Sequence, residues 1–270
     1  MKWFRYPSAG LLMGVWASLV ASGCVVGIVD VDGNDGSWDK EATEVVNRTV
    51  PVTSQLGIRV LGQNGDVRVL GAGGVQDVSI RATKRVRSNS VSDAEAHLGN
   101  IQIRVTSTPT EVRVETVQPD PSGHRTYIVD YEITVPESFL VAGVIGNGNV
   151  ILEDVRSDLE VQVGNGNAVF RRVVGSAWVV VGNGNLDASM VLPEGGQIVS
   201  SVGNGTAILT VPTDVSARFK AQVGNGTIVL TGLDLKDPVS GPNILRGTLG
   251  SGAGLIDLTV GNGSIQARGQ

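Results

Sequence analysis

Residues 144–153 read V-I-G-N-G-N-V-I-L-E, and residues 162–171 read Q-V-G-N-G-N-A-V-F-R. The Gly-Asn-Gly triplet they share occurs six times: Gly146-Asn147-Gly148, Gly164-Asn165-Gly166, Gly182-Asn183-Gly184, Gly203-Asn204-Gly205, Gly224-Asn225-Gly226 and Gly261-Asn262-Gly263. The intervals are 18, 18, 21, 21 and 37 residues, and the longest holds a degenerate copy, G-S-G, at 250–252. Self-similarity at such a period marks a repeat architecture.

Aligned on the triplet, the copies agree column by column. The residue before it is Ile145, Val163, Val181, Val202, Val223 or Val260, always β-branched and apolar. The residue after it is Asn149, Asn167, Asn185, Thr206, Thr227 or Ser264, always small and hydrogen-bonding. The next position is Val150, Ala168, Leu186, Ala207, Ile228 or Ile265; two further on stand Leu152, Phe170, Ala188, Leu209, Leu230 and Ala267. Apolar residues every second position, with a mixed position between them, are the signature of a strand with one face buried. Each unit therefore reads as strand, Gly-Asn-Gly corner, strand, turn.

Two all-β arrangements fit. Asn-Gly is a hairpin signal and would serve an antiparallel meander. A β-solenoid of parallel stacked coils, 18–21 residues each, also explains why one column is Asn, Thr or Ser in every copy: stacked amides can bond along a ladder, and glycine lets each corner take positive φ. Glu153 and Asp154 precede Arg171 and Arg172 by 18 residues, which sets acids beside bases on successive units. The expectation is the solenoid over residues 137–270, with a final coil left open near Ile265 and able to pair with another copy. Residues 49–136 are β-rich but less regular, with alternating stretches at Gly57–Leu70, Val75–Val86, Asn100–Ser107, Thr110–Thr116 and Tyr127–Val135. L-G-Q-N-G-D-V-R-V (61–69) resembles a worn copy of the corner, and S-V-S-D-A-E-A-H-L (90–98) reads as one short helix capped by Ser90 or Ser92.

The N-terminus carries a different signal. Lys2 and Arg5 precede an apolar stretch from Ala9 to Val20, then Ala21-Ser22-Gly23 and Cys24. That order is a secretory signal over residues 1–23, too short for a comfortable transmembrane helix. A-S-G-C resembles the bacterial lipobox, which makes Cys24 the expected lipidation site and a lipid-anchored envelope protein the expected product. Ala21 stands where Leu is usual in that motif. Val25, rather than Asp, favours the outer membrane by resemblance to the enterobacterial sorting rule, with the side of that membrane left open. Residues 24–48 read as a Gly/Asp-rich flexible tether, whose D-V-D-G-N-D-G lacks the final Glu of an EF-hand loop.

Composition bounds the function. The chain has 270 residues, 37 glycines, 4% aromatics and net charge −5; losing residues 1–23 removes two cations and no acid and takes it to −7. No basic footprint for nucleic acid is present. One cysteine and two histidines exclude an intramolecular disulfide and a Cys- or His-rich metal cage, and no cofactor or metal is expected. Neither a phosphate-binding glycine loop nor G-x-S-x-G nor H-E-x-x-H occurs.

G-D-V-R-V, A-E-A-H-L, D-Y-E-I-T-V-P (130–136) and the serial G-N-G units together resemble the bacterial "putative adhesin" β-strand-repeat family, which is related to auto-transporter adhesin head domains. The resemblance spans roughly residues 49–267. It implies a β-solenoid fold on exported or membrane-tethered proteins, and it transfers no catalytic residue.

An enzyme acting on polysaccharide would need carboxylates converging on one face. One period from Asp158 stands Ser176, from Glu160 stands Trp178, and from Asp187 stands Val169, so none converge. Calcium-binding β-rolls place Asp in the turn, where this chain has Asn, Thr or Ser. The sequons at Asn204, Asn225 and Asn262 are explained by the repeat. Arg81, Lys84, Arg85 and Arg87 form a basic cluster in which Arg81, Thr83, Arg85 and Arg87 alternate with Ala82 and Val86 as one solvated strand face, and His124 reads as a loop residue. Trp178 is the candidate contact residue for a partner. The expected function is a non-catalytic, adhesin-like interaction or structural module with a protein or glycan partner. The alternatives are a carbohydrate-active enzyme on a β-helix scaffold and an envelope-stress or signalling accessory.

Overall fold

The computed structural model describes residues 40–121 and 123–270, together with the backbone of residues 20–29. Most of the signal segment, the Asp-rich part of the tether and Trp38 lie outside the described residues. The first elements are β1 (Val20–Val29), β2 (Lys40–Pro51), β3 (Gly57–Asn64), β4 (Val67–Ala72), β5 (Asp77–Ser88), helix α1 (Val91–Leu98), β6 (Gln102–Ser107), β7 (Glu111–Val117) and β8 (Thr126–Pro136). The repeats supply β9 (Leu140–Asn147), β10 (Val150–Glu153), β11 (Leu159–Asn165), β12 (Ala168–Val174), β13 (Ala177–Asn183) and β14 (Leu186–Val191). Then come β15 (Gln197–Val211), β16 (Ala217–Thr231), β17 (Leu235–Gly241), β18 (Ile244–Leu249) and β19 (Gly254–Gly269).

The solenoid expected from the repeat is overturned. The strands belong to one continuous 19-stranded sheet, which curls into a nearly closed barrel with one seam. Two ranks of strands are recognisable in it. One runs β6-β7-β3-β9-β11-β13 and the other β1-β2-β5-β8-β4-β10-β12-β14; β15, β19 and β16 are long enough to bend through the corner and belong to both. Three departures separate this from a succession of coils. Antiparallel pairs β2–β5–β8 and β6–β7 are built into the same sheet, and the parallel pairs β3–β9 and β4–β10 run across the 136/137 boundary drawn from the sequence. Residues 40–48, assigned to the tether, lie in β2. Finally, β19 inserts between β15 and β16, so the last units are out of chain order.

The physical reason is that column identity encodes register and nothing more. Any parallel neighbour one repeat away satisfies it, and the observed pairs do: Val163 lies opposite Ile145 and Val181, and Ala168 opposite Val150 and Leu186. The 37-residue interval is the β17–β18 hairpin, which folds antiparallel onto β16. Its G-S-G at 250–252 is a turn between β18 and β19, with Gly250 and Gly252 at positive φ, and makes no corner. Ile265, expected at an open end, is fully buried.

The core follows the alternation. The two apolar columns after the corner are buried in β10, β12, β14, β15 and β19, as are Ile145, Val163, Val181, Val202, Val223 and Val260 before it. With so few aromatics, Val, Ile, Leu and Ala fill the interior, and Tyr131 and Phe170 are the largest fully buried side chains. The Tyr131 hydroxyl keeps a partner, Thr116 Oγ1 at 2.6 Å, while burial pushes its pKa up to about 12.

Glycine is required at the third position of each Gly-Asn-Gly corner. Gly148, Gly166, Gly184, Gly205, Gly226 and Gly263 all take φ between 136° and 146°. A Cβ on Gly184 would collide with the carbonyl oxygen of Gly166 in the neighbouring strand. Gly184→Ala is therefore expected to cost about 3 kcal/mol or more by urea unfolding, against about 1 kcal/mol for Gly74→Ala, whose φ is +75° but whose Cβ would meet nothing. Equal losses at the two sites would show that close packing at the corner is not the constraint.

A second expectation concerns alkaline pH. The raised Tyr131 pKa means that its stabilising contribution is complete below the ordinary tyrosine value of 10.0 and is lost as pH rises toward about 12. The loss amounts to about 2–3 kcal/mol. Tyr131→Phe should flatten that part of the stability–pH curve; an unchanged slope would assign it to other groups.

Candidate interaction surface

Along the corners the asparagines form a continuous hydrogen-bonded ridge. The amide of Asn147 donates to Asn64 Oδ1 (2.7 Å), Asn165 to Asn147, Asn183 to Asn165 and Asn204 to Asn183 (each 2.8 Å), then Asn262 to Asn204 and Asn225 to Asn262 (each 2.9 Å). A carboxamide carries a donor and an acceptor on one group, so it can pass the pattern on where the acceptor-only carboxylate of Asp could not. Asn64 belongs to the worn copy at 61–69, which is thus a working member of the ridge. It ends the ladder by donating to the Tyr127 carbonyl at 3.3 Å.

A second ladder runs beside the first. The Asp66 amide donates to Asp130 Oδ1 (2.9 Å), and the backbone and side-chain amides of Asn149 donate to Asp66 Oδ1 (2.8 and 3.0 Å). Asn167 and Asn185 repeat this on Asn149 and Asn167, Thr206 N–H donates to Asn185 Oδ1 (2.9 Å), and Thr206 and Ser264 join their hydroxyls. The chemistry of each end matches its place. Acceptor-only carboxylates start the column, amides carry it, and hydroxyls finish it. The sequon asparagines Asn204, Asn225 and Asn262 are all committed to the first ladder.

The acids near the ridge are neutralised by arginines. Arg172 grips Asp154 through two bonds of 2.6 and 2.7 Å and holds its carboxyl below the usual range. Glu153 and Arg171 stand opposite each other as the spacing predicts, yet Glu153 pairs with Arg68 on its other side, and Arg171 with Asp187 at 2.8 Å. Asp158 Oδ1 accepts the Ser176 amide. Among the described residues, no three His, Cys, Asp or Glu side chains are placed to hold a metal ion.

Trp178 lies on the outer face of β13, half-buried, between Glu160 and Val199. Ala142 and Arg59 continue its row, with Arg59 reaching Glu160 at 3.9 Å across the small alanine. Cys24 falls in β1, of which the backbone alone is described.

Two clusters escaped the sequence reading. Lys84, named with the basic cluster, is buried on the side of β5 opposite to Arg81, Arg85 and Arg87, bonded to Glu44 at 2.6 Å and reaching the carbonyls of Leu98 and Ile101 at the end of α1. Its neighbours on the outer face have acidic partners: Arg81 with Glu132, Arg85 with Asp130, Arg87 with Glu41. The second cluster joins Ser88, Asp93, His97 and Arg125. Arg125 binds Asp93 through two bonds of 2.7 and 2.8 Å, Ser88 donates to the same carboxylate, and together they hold it well below the usual carboxylate range. Ser90 Oγ caps the helix by accepting the Asp93 amide, and His97 Nδ1 sits 2.7 Å from the Asp93 carbonyl oxygen. The carboxylate lies between serine and base, which makes a clamp for α1 and no nucleophile–base pair. Alternation could have flagged Lys84, since it shares parity with Ala82 and Val86; the clamp is a long-range contact without local signal.

No family model matches the chain, and no curated relative matches it. Among solved structures it is similar to a putative cell adhesion protein from Clostridium sporogenes, at 13% identity and TM-score 0.48, over 86% of this chain and 100% of that one. It is similar also to putative adhesins from Bacteroides fragilis (13% identity, TM-score 0.32, 83% and 96% covered) and Parabacteroides merdae (11%, 0.26, 83% and 95%). The likeness is distant and extends over most of the chain.

The ladder generates an expectation of its own. Asn183→Asp removes the donor to Asn165 and sets a charge among acceptors, so it should destabilise by about 1–2 kcal/mol at pH 7 and recover toward pH 4 as the acid protonates. Asn183→Ala should lose about 1 kcal/mol at both pH values. A pH-independent deficit for both variants would deny the side-chain ladder its role.

Proposed function

We propose that this chain is a non-catalytic, lipid-anchored module of the bacterial cell envelope that works by presenting a rigid polar ridge to a protein or glycan partner. The observation that carries the reading is the double ladder. It orders a long row of small amide and hydroxyl side chains whose backbone cannot shift without breaking bonds in both neighbours. A surface ordered before binding loses little conformational entropy when a partner docks, which suits recognition through many weak contacts. Trp178, on an outer face, is the side chain best suited to add an apolar contact. The carbohydrate-enzyme alternative draws no support from the acids beside the ridge, because Glu153, Asp154 and Asp187 are each paired with an arginine.

The anchor rests on residues 1–24. A basic start, an apolar stretch, Ala-Ser-Gly and Cys24 describe an exported chain acylated on its one cysteine, and Val25 favours outer-membrane retention. The family resemblance stated above points the same way.

Protease shaving of intact cells, with a C-terminal tag followed after membrane fractionation, tests both parts beside a Cys24→Ala control. The expected result is membrane retention that Cys24→Ala abolishes, with the tag digested from intact cells. Retention unaffected by Cys24→Ala would remove the anchor. A tag that resists protease until the outer membrane is permeabilised would exclude partners outside the cell and favour a periplasmic scaffold.

A further inference from the structure

Two free edges of the sheet, at β17 and β6, carry devices against pairing. The outer edge of β17 bears Lys236, Asp237 and Pro238 and is broken by a register shift between Lys236 and Val239. The edge strand β6 carries Gln102, Arg104 and Thr106. Charges, proline and bulges are the usual means of blunting an edge. The second half of β16 carries none of these. Its first half is covered by β18 as far as Gln222, but among the described residues nothing pairs with the outer side of Gly226–Thr231.

Two properties of that edge point to an occupant. The core is open there: Ile228 and Leu230 occupy the two columns that are buried in the other repeats, yet they are half-exposed, and Val229 is 49% exposed. Backbone groups are open as well. In earlier repeats the amides of Gly148, Gly166 and Gly184, and of Val150 and Ala168, donate to the next strand. Their counterparts here are Gly226 and Ile228, with no strand beyond.

We propose that Gly226–Thr231 is a dimerisation edge, where a second copy of this chain pairs antiparallel about a two-fold axis at Val229. The segment Thr227-Ile228-Val229-Leu230-Thr231 is nearly palindromic. Antiparallel pairing centred on Val229 sets Thr227 against Thr231, Ile228 against Leu230 and Val229 against its own copy, so each face meets its like. Ile228 and Leu230 would exchange backbone bonds across the axis and close both cores at once. The edge has no charge to repel its copy and no proline to interrupt the ladder. Head-to-tail growth is disfavoured, because the other end of the asparagine ladder is already satisfied by Tyr127 and covered by β8 and β5. A two-fold contact uses one patch on both subunits and stops at two. This inference rests on the pairing geometry alone and stands or falls apart from the anchor and the envelope role.

The test uses the full chain carrying Cys24→Ala. One strand pair is a small interface, so sedimentation should show a monomer–dimer equilibrium that reaches dimer by about 100 µM. Val229→Lys, which sets like charges face to face, should weaken it about tenfold or more with circular dichroism unchanged. Val229→Cys offers a readout that does not depend on that variant's folding. Its position is a pair without backbone bonds, with Cα atoms about 4.5 Å apart, inside the range for a disulfide. It should cross-link under mild oxidation, whereas Val191→Cys, exposed elsewhere, should not. A chain that stays monomeric at all concentrations would overturn the proposal. So would a dimer that survives Val229→Lys and gives no cross-link through Val229→Cys, since it would have to form elsewhere.

Discussion

The close passage of one backbone over another at the Gly-Asn-Gly corners is the constraint on which the remaining structure depends. At each corner the second glycine lies so near the carbonyl of the equivalent glycine in the neighbouring strand that no side chain fits between them. Strands brought that close in parallel must align residue for residue, because a slip of one position would turn every buried valine outward. The asparagine ladders reinforce this register. They replace water at the corner with amides whose bonds are satisfied by their neighbours, and they run from Asn64 in β3 to Asn225 in β16. Corner packing, buried columns and ladders therefore enforce one alignment by three independent means.

That alignment also explains why a chain with so few aromatics has a well-filled interior. Identical columns stack Val on Ile and Ala on Leu at the spacing of strands in a sheet, so branched aliphatic side chains interdigitate without large rings to bridge gaps. Where the columns alternate in size, as with Phe170 between Leu152 and Ala188, the bulky residue is accommodated by the small one beside it. The same logic predicts trouble wherever a column ends, and β16 is where the columns end without a cover.

Outside the repeats, ion pairs take over the role that glycine plays within them. Lys84 and Glu44 fasten the sheet to the end of α1, and Arg125 with Asp93 fastens the beginning of α1 to the segment leading into β8. The first pair is buried and keeps the helix seated through two carbonyls. The second is half-buried, and its two bonds orient the helix start. Neither cluster offers a nucleophile beside a base.

Much of the architecture was legible from residues alone. Apolar alternation placed the strands, the triplet placed the corners, Ser90 announced the helix, and the repeat interval predicted which residues would face one another: Glu160 opposite Trp178, Val169 opposite Asp187, Asp154 beside Arg172. These are local or one-period facts, set by side-chain polarity and backbone stereochemistry. What only tertiary structure decided was how the strands close. The solenoid failed because a repeat states which positions match, whereas sheet closure depends on contacts far apart in sequence. Examples are β3 and β4 joining the repeats, β19 slipping between β15 and β16, and a hairpin filling the longest interval. The burial of Lys84 and the open edge at Val229 follow from that closure. Both are consequences of which strand came to lie next to which, a choice made by the summed packing of the whole sheet and by no single segment of it.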